Sequence, residues 1–166
     1  MNADIPAPFE TYRAEVQEAW IDYNKHMNMG YYLVVFDEAT GGFFKAVGLD
    51  RAHRQKHHVT TFSLEAHINY VREVDLGDTL RFTTRLIDFD AKRLHYFHEM
   101  WHATEGYLAA TNELISLHVS QETRRAAPMA PEILERLEAI KAAHSRLPPS
   151  PYIGRRIGLA AKPPKA

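Results

Sequence analysis

Apolar and polar residues change period several times along this chain, and each change predicts an element. From Thr11 to Trp20, Tyr12, Ala14, Val16 and Trp20 share one parity, while Arg13, Glu15 and Gln17 share the other. That alternation predicts a half-buried strand. Asp22 to Lys25 is polar and predicts a turn. From Asn28 to about Val47 the period becomes helical, with Tyr32, Val35, Phe36, Ala39, Phe43 and Val47 on one face. Tyr31, Val34 and Phe44 widen its apolar arc, so the helix needs cover on more than one side. Asn28 suits the N-cap and Gly48 the stop. Gly41-Gly42 weakens the helix interior by about 1 kcal/mol per Gly, which points to a close packing contact there.

Arg51 to His58 carries charge without apolar periodicity and is expected to be a basic loop. Alternation then returns. Phe62, Leu64, Ala66, Ile68 and Tyr70 line one face of a second strand, and Ser63, Glu65, His67 and Asn69 the other. Asp75-Leu-Gly-Asp78 predicts a turn. Three more strands follow, over Thr79–Asp88, Arg93–Thr104 and Tyr107–Ser120, with Glu105-Gly106 as a hairpin signal. Pro128 to Pro131 closes the strand region. Ile133, Leu134, Leu137 and Ile140 then mark a helix over Glu132–His144. Leu147-Pro-Pro-Ser-Pro151 ends it. The basic tail from Tyr152 is expected to be extended or partly disordered, docked through Tyr152 and Ile153. Strand, long apolar helix, four strands and a terminal helix define an α+β domain: an antiparallel sheet curled around one helix.

Composition narrows the function. The 166 residues fit one domain, 45% hydrophobic and 25% charged. A net charge of −1 leaves no electrostatic footprint for nucleic acid or an acidic membrane. No stretch approaches the roughly 18 apolar residues of a membrane span, and the first residues do not resemble a secretory signal. Cysteine is absent, which excludes disulfides, thiolate metal sites and a cysteine nucleophile, and fits the cytoplasm. Ten histidines raise the question of metal. His98 and His102 have strand spacing, and no carboxylate completes a pattern with them or with His57-His58 and His95. No metal or organic cofactor is therefore expected.

Candidate chemistry converges on Trp20 to Tyr32. Asp22 falls between a strand and the apolar helix. From position alone it is a capping or turn carboxylate. Its second role, as nucleophile or general base, depends on the spacing Asp22, His26, Asn28, Tyr32. That spacing resembles the motif of hotdog-fold acyl-CoA thioesterases of the 4-hydroxybenzoyl-CoA type. Lys25 stands where that family usually has Gly. Phe36-Asp37-Glu38-Ala39 is similar to the family's helix, and His67 to Asp78 to its second strand and following turn.

Asp22 to Met29, Asp90 to His95, Glu105 to Thr111, Leu117-His-Val with Arg124-Arg125, and Pro151 to Arg155 look more narrowly like the betainyl-CoA thioesterases of bacterial carnitine breakdown. The resemblance implies a hotdog domain over residues 1–127, with a helix and tail over 128–166. It also implies a homodimer or higher oligomer whose sites lie between subunits. The implied activity is hydrolysis of a small acyl-CoA, foremost betainyl-CoA. Another short or aromatic acyl-CoA, or a non-catalytic acyl-CoA-binding role, are the alternatives.

In this scheme Asp22 is the catalytic carboxylate, and the Met29 backbone N–H at the helix start polarises the carbonyl. Asn28 caps the helix or orients substrate, and His26 ties the turn to the strand ends or acts as a base. A quaternary ammonium is recognised by aromatic faces and carboxylates. Trp20 and Tyr23 flank Asp22 and are the foremost candidates, Tyr70, Tyr96, Phe97 and Trp101 offer further rings, and Tyr32, one helical turn inside, packs with a hydroxyl bond or lines the substrate. Glu65 and His67 belong to a solvated or intersubunit sheet face. Lys92-Arg93 and Arg124-Arg125 are candidates for the CoA phosphates.

Overall fold

The computed structural model describes residues 5–159. Five antiparallel strands form one sheet in the order β1-β3-β4-β5-β2. They are β1 (Phe9–Glu15), β2 (Val59–Tyr70), β3 (Thr79–Phe89), β4 (Arg93–His102) and β5 (Leu108–Ser120). The helices are α1 (Met29–Val47), α2 (Arg51–His57) and α3 (Pro131–His144). This is the α+β hotdog arrangement that the motifs implied. No helix among the described residues is long and apolar enough to cross a membrane.

Helix α1 lies on one face of the sheet and buries Tyr32, Val35, Phe36, Ala39, Phe43 and Val47. Asn28 caps it by accepting from the Gly30 N–H, and Gly48 ends it at φ 90°. The sheet covers only one side. Met29, Leu33 and Val34 stay exposed, so part of the wide apolar arc has no cover within one chain. Gly42 explains itself by distance: a Cβ there would lie 2.1 Å from the Thr11 carbonyl oxygen, whereas one on Gly41 would meet nothing.

A polar line runs through this packed layer. Thr40 Oγ1 donates to the Phe36 carbonyl, so it must accept from His98 Nε2 at 3.0 Å. His98 Nδ1 therefore accepts from Thr84 Oγ1 at 2.6 Å, and Thr84 accepts from Thr11 at 2.9 Å. Full burial drives the His98 pKa down to about 3 and keeps the ring neutral. One oriented chain of hydroxyls thus ties β1, β3, β4 and α1 together.

Three expectations are corrected. The basic segment is helix α2 rather than a loop. Asp50 caps it by accepting from the His53 N–H, and Arg54, Lys56 and His57 suit the negative end of its dipole. It buries nothing, so no apolar period announces it. The first strand stops at Glu15, and Trp20 sits in a 3-10 turn over Glu18–Trp20. Val16 instead exchanges hydrogen bonds with the turn at Asp78 and Gly77.

The third correction concerns β2, where a bulge between Ser63 and Glu65 breaks the row. Ala66, Ile68 and Tyr70 pair with Leu114, Asn112 and Ala110 on the α1 face, but Phe62 pairs with Leu117 on the other. β2 is also an edge strand, and Leu64 at the bulge is exposed.

Helix α3 adds Ile133, Leu137 and Ile140 to a second core around Phe43, Phe44 and Tyr96. The chain then crosses the face of the sheet opposite α1. Arg85 donates to the Pro148 carbonyl at 2.6 Å, and Glu113 accepts from the Gly154 N–H at 2.7 Å. Arg85, Phe97 and Glu113 stand in one row of the sheet, so this strap passes over the fully buried Phe97. Tyr152 and Ile153 are half-buried within it, as expected of a docked tail. Residues 160–166 of the expected tail lie outside the described residues.

Candidate active site at the start of the central helix

The segment between β1 and α1 is held in a tight loop by an antiparallel bridge between Ile21 and Met27. Within it the Asp22 N–H donates to the His26 carbonyl at 3.0 Å, and the Lys25 N–H to the Asp22 carbonyl at 3.0 Å. One Asp22 carboxylate oxygen accepts from the Asn24 N–H at 2.8 Å. Lys25 adopts φ 70°, the left-handed conformation that glycine takes at little cost. The family's Gly position is therefore filled by a strained lysine, and the turn is kept.

The loop is docked onto the chain between β2 and β3. The Met27 N–H donates to the Val74 carbonyl at 3.1 Å. His26 Nδ1 lies 2.9 Å from an Asp75 carboxylate oxygen, and Nε2 lies 3.4 Å from Glu73. The hydrogen bond to Asp75 raises the His26 pKa, and the charges of Glu73, Asp75 and Asp22 add to it. His26 is thus a peg between two segments.

At the helix start, the Gly30 N–H is taken by Asn28 Oδ1 and the Tyr31 N–H by the Asn28 carbonyl. Among the described residues nothing accepts from the Met29 N–H. Tyr70 Oη donates to the Met29 carbonyl at 3.2 Å, and the Tyr32 and Tyr70 rings meet edge-to-face at 5.1 Å. Burial raises the Tyr32 pKa to about 12 and raises that of Tyr70, so both are neutral phenols at neutral pH.

An open hollow of about 320 Å³ collects Asp22, Met27, Met29, Tyr32, Tyr70, Val71, Arg72 and Glu73. Of the residues singled out in the sequence, Asp22, Met29, Tyr32 and Tyr70 are brought together in this hollow, and the others are not. Asn28 is spent on the cap and His26 on the peg. Trp20 stacks on Tyr31 at 5.9 Å and packs into the core. Tyr23 is 92% exposed.

Sequence reasoning missed Arg72, Glu73 and Asp75. They belong to the block from His67 to Asp78, but nothing local shows that it folds against Asp22 to Met27. Arg72 sits 3.7 Å over the Tyr107 ring and 3.6 Å from Glu105, which draws its charge aside. Glu73 leaves a second carboxylate at the hollow.

The other candidates have different employment. Lys92-Arg93 and Arg124-Arg125 lie at the opposite end of the strands from Asp22, and Arg93 pairs with Asp90 at 2.6 Å. His95 pairs with Glu113 at 2.7 Å and His102 with Asp78 at 3.2 Å. A larger hollow, about 370 Å³, opens between Asp88 and Ile115, but its Asp90, Arg93 and His95 are already engaged in these pairs.

Asp22 and Met29, whose amide begins α1 without an acceptor among the described residues, thus line one hollow at the end of the sheet. The sequence profile of the Thioesterase-like superfamily matches residues 16–137, and the chain belongs to that family. Among its relatives, the betainyl-CoA thioesterase of Pseudomonas aeruginosa is 39% identical over 149 residues, covering 90% of this chain and 94% of that protein. An L-carnitine dehydrogenase/betainyl-CoA thioesterase of Rhizobium meliloti is 32% identical over 95% of this chain, which spans only 32% of that longer protein.

Solved structures agree. A Staphylococcus aureus protein in complex with CoA superposes with a TM-score of 0.86 at 29% identity, covering 96% of this chain and all of that one. A putative thioesterase of Pseudomonas putida KT2440 superposes at 0.80 with 35% identity, covering 95% and 100%.

Proposed function

We propose that this protein hydrolyses betainyl-CoA to glycine betaine and CoA, as a step of carnitine catabolism. The observation that carries the chemistry is the shared hollow of Asp22 and the unpaired Met29 N–H. The thioester carbonyl accepts from that N–H, at the positive end of the α1 dipole, where oxyanion charge develops. Asp22 either attacks the carbonyl, forming an acyl anhydride that water then cleaves to free its carboxylate, or takes a proton from the water that attacks the carbonyl. The C–S bond breaks, the thiolate leaves with CoA and is protonated, and water supplies the carboxylate oxygen of the product. Asn28 holds the helix start and His26 holds the loop, so both act through position. The reaction needs no metal or organic cofactor.

The acyl group is suggested by the two relatives whose names include betainyl-CoA thioesterase and by the lining of the hollow. A trimethylammonium group has no hydrogen-bond donor and is held by ring faces and negative charge. Tyr32, Tyr70 and Glu73 offer both beside Asp22. Trp20 and Tyr23 stand outside the hollow of one chain, so the cation contact falls to the two inner tyrosines.

The working unit is a homodimer, with the chemistry in residues 1–127 and residues 128–166 as a helix and strap packed against them. The open edge of β2, exposed Leu64, and exposed Leu33 and Val34 on α1 support an apolar partner surface of this kind. A CoA-linked substrate accords with the cytoplasm.

CoA release across a set of acyl-CoAs tests the assignment. Betainyl-CoA should exceed acetyl-CoA and benzoyl-CoA in kcat/KM by at least about tenfold, a margin of about 1.4 kcal/mol. A preference for an uncharged short or aromatic acyl group would transfer the assignment to that substrate. Binding of acyl-CoA without turnover of any would make the protein a binding module.

A further inference from the structure

The hollow at Asp22 is bounded in part by Tyr70 and Val71. These two residues also form the lip of a second trough, about 500 Å³, on the other side of the β2 edge. Its remaining walls are His67, Ile68 and Asn69 of β2 and, from the strap, Tyr152 and Arg155 to Gly158. Two adjacent guanidinium groups, Arg155 and Arg156, line it. Neither makes an ion pair among the described residues, where Arg72, Arg85 and Arg93 all do.

Glu113 is shared between His95 Nε2 and the Gly154 N–H, and Glu65 stands with it in a neighbouring hollow that Arg155 also borders, without pairing with either arginine. Asn69 also borders the trough, with its Nδ2 buried away from the surface. The trough is therefore lined by two cations that lack ion-pair partners among the described residues.

The strap is built to hold these arginines in place. Arg85 and Glu113 pin it from the sheet on either side of Phe97, at Pro148 and at Gly154. The second clamp falls immediately before Arg155, and the Arg155 guanidinium lies 5.7 Å over the Tyr152 ring. A guanidinium pair on an anchored backbone suits bidentate recognition of phosphate oxygens.

We propose that Arg155 and Arg156 form the phosphate subsite of this enzyme, binding the nucleotide end of the CoA thioester while its acyl end lies at Asp22. The proposal rests on the thioesterase reading and deepens it. The positively charged trough and the acidic, aromatic hollow then serve opposite ends of one substrate, anionic at the nucleotide and cationic at the acyl group. The strap becomes part of the binding site, although it lies on the face of the sheet opposite α1.

Two measurements on the full chain and its Arg155→Gln/Arg156→Gln double variant test this. In the first, adenosine 3′,5′-bisphosphate is titrated by calorimetry. The double variant should bind it at least about tenfold more weakly, the scale of losing charge-assisted hydrogen bonds. Equal affinity in the two proteins, or inorganic phosphate binding the wild type as tightly as the nucleotide, would overturn the subsite.

In the second, the same acyl group is presented on CoA and on pantetheine, which lacks the nucleotide. KM for the CoA thioester should rise about tenfold or more with kcat retained, and the loss should be confined to that substrate. An equal loss on the pantetheine thioester would make the arginines merely structural and overturn the proposal. If the wild type cleaves no thioester, the thioesterase reading fails, and the nucleotide titration still decides the subsite.

Discussion

The hydroxyl of Tyr70 donates to the backbone carbonyl of Met29 across 3.2 Å, joining the end of β2 to the first turn of α1. The same Met29 carries the amide that has no acceptor among the described residues and that the proposed mechanism assigns to the substrate carbonyl. On that mechanism Tyr70 positions the proposed oxyanion donor, and it also lines the hollow that holds Asp22. The bond is long and its donor half-exposed, so its worth falls at the low end of the usual range, about 0.5–1 kcal/mol. Tyr70→Phe should lower kcat by roughly two- to fivefold with little change in KM, because the ring remains. Steady-state kinetics on betainyl-CoA reads the split, and an unchanged kcat would remove Tyr70 from the positioning of Met29.

Lys25 at φ 70° holds the turn beside Asp22 with a side chain that this conformation disfavours. Relief of the strain is worth on the order of 1 kcal/mol. Lys25→Gly should keep activity and leave stability unchanged or raised by up to that amount, since glycine's greater freedom when unfolded offsets part of the gain. Lys25→Val should destabilise, because a β-branched residue tolerates positive φ worst. Urea unfolding of the three proteins checks the order.

The two central glycines of α1 should respond in opposite directions. At Gly42 a new Cβ meets backbone 2.1 Å away, which cannot move without parting α1 from β1. Gly42→Ala should cost about 1–3 kcal/mol or more. Gly41→Ala meets nothing and should stabilise by up to about 1 kcal/mol through helix propensity. Thermal melts of the two variants give the signs directly.

The neutral ring of His98 predicts a particular acid sensitivity. Its folded pKa is about 3 against an ordinary 6.5, so the unfolded chain holds one more proton between those values. Stability contributed by the neutral ring is complete above about pH 6.5 and is lost as the pH falls towards 3, at up to about 1.4 kcal/mol per pH unit. His144, also lowered by burial, acts in the same sense. Raised His26 acts in the opposite sense, losing its contribution as the pH rises through its folded pKa. His98→Gln removes only the first of these. Denaturation curves from pH 7 to 4 should be less steep in pH for that variant than for the wild type.

The strands, α1 with both its ends, and α3 were legible because each buries one face and so carries a period. Helix α2 was not, since it buries nothing and is specified by Asp50 and its basic last turn. The β2 bulge was also hidden, because Phe62, Leu64 and Tyr70 keep the same spacing whether or not one residue is unpaired. At the hollow, Asp22 and Tyr32 belong to the motif and Met29 to the helix start it precedes, so all three lie close together in sequence. Tyr70, from β2, was the one residue of the hollow found at long range. Glu73 and Asp75 reach the loop only through docking of Met27 on Val74, a contact that no local pattern encodes. Tyr23 shows the converse: it is adjacent to Asp22 in sequence and faces solvent.

The most direct test of the account is the rate of CoA release from betainyl-CoA by Asp22→Asn, which keeps the size of the side chain and its acceptor for Asn24. If Asp22 supplies the oxygen, either as nucleophile or as base, kcat should fall by about a thousandfold while substrate still binds. A variant that retains turnover within about tenfold of the wild type would place the chemistry elsewhere and contradict the assignment.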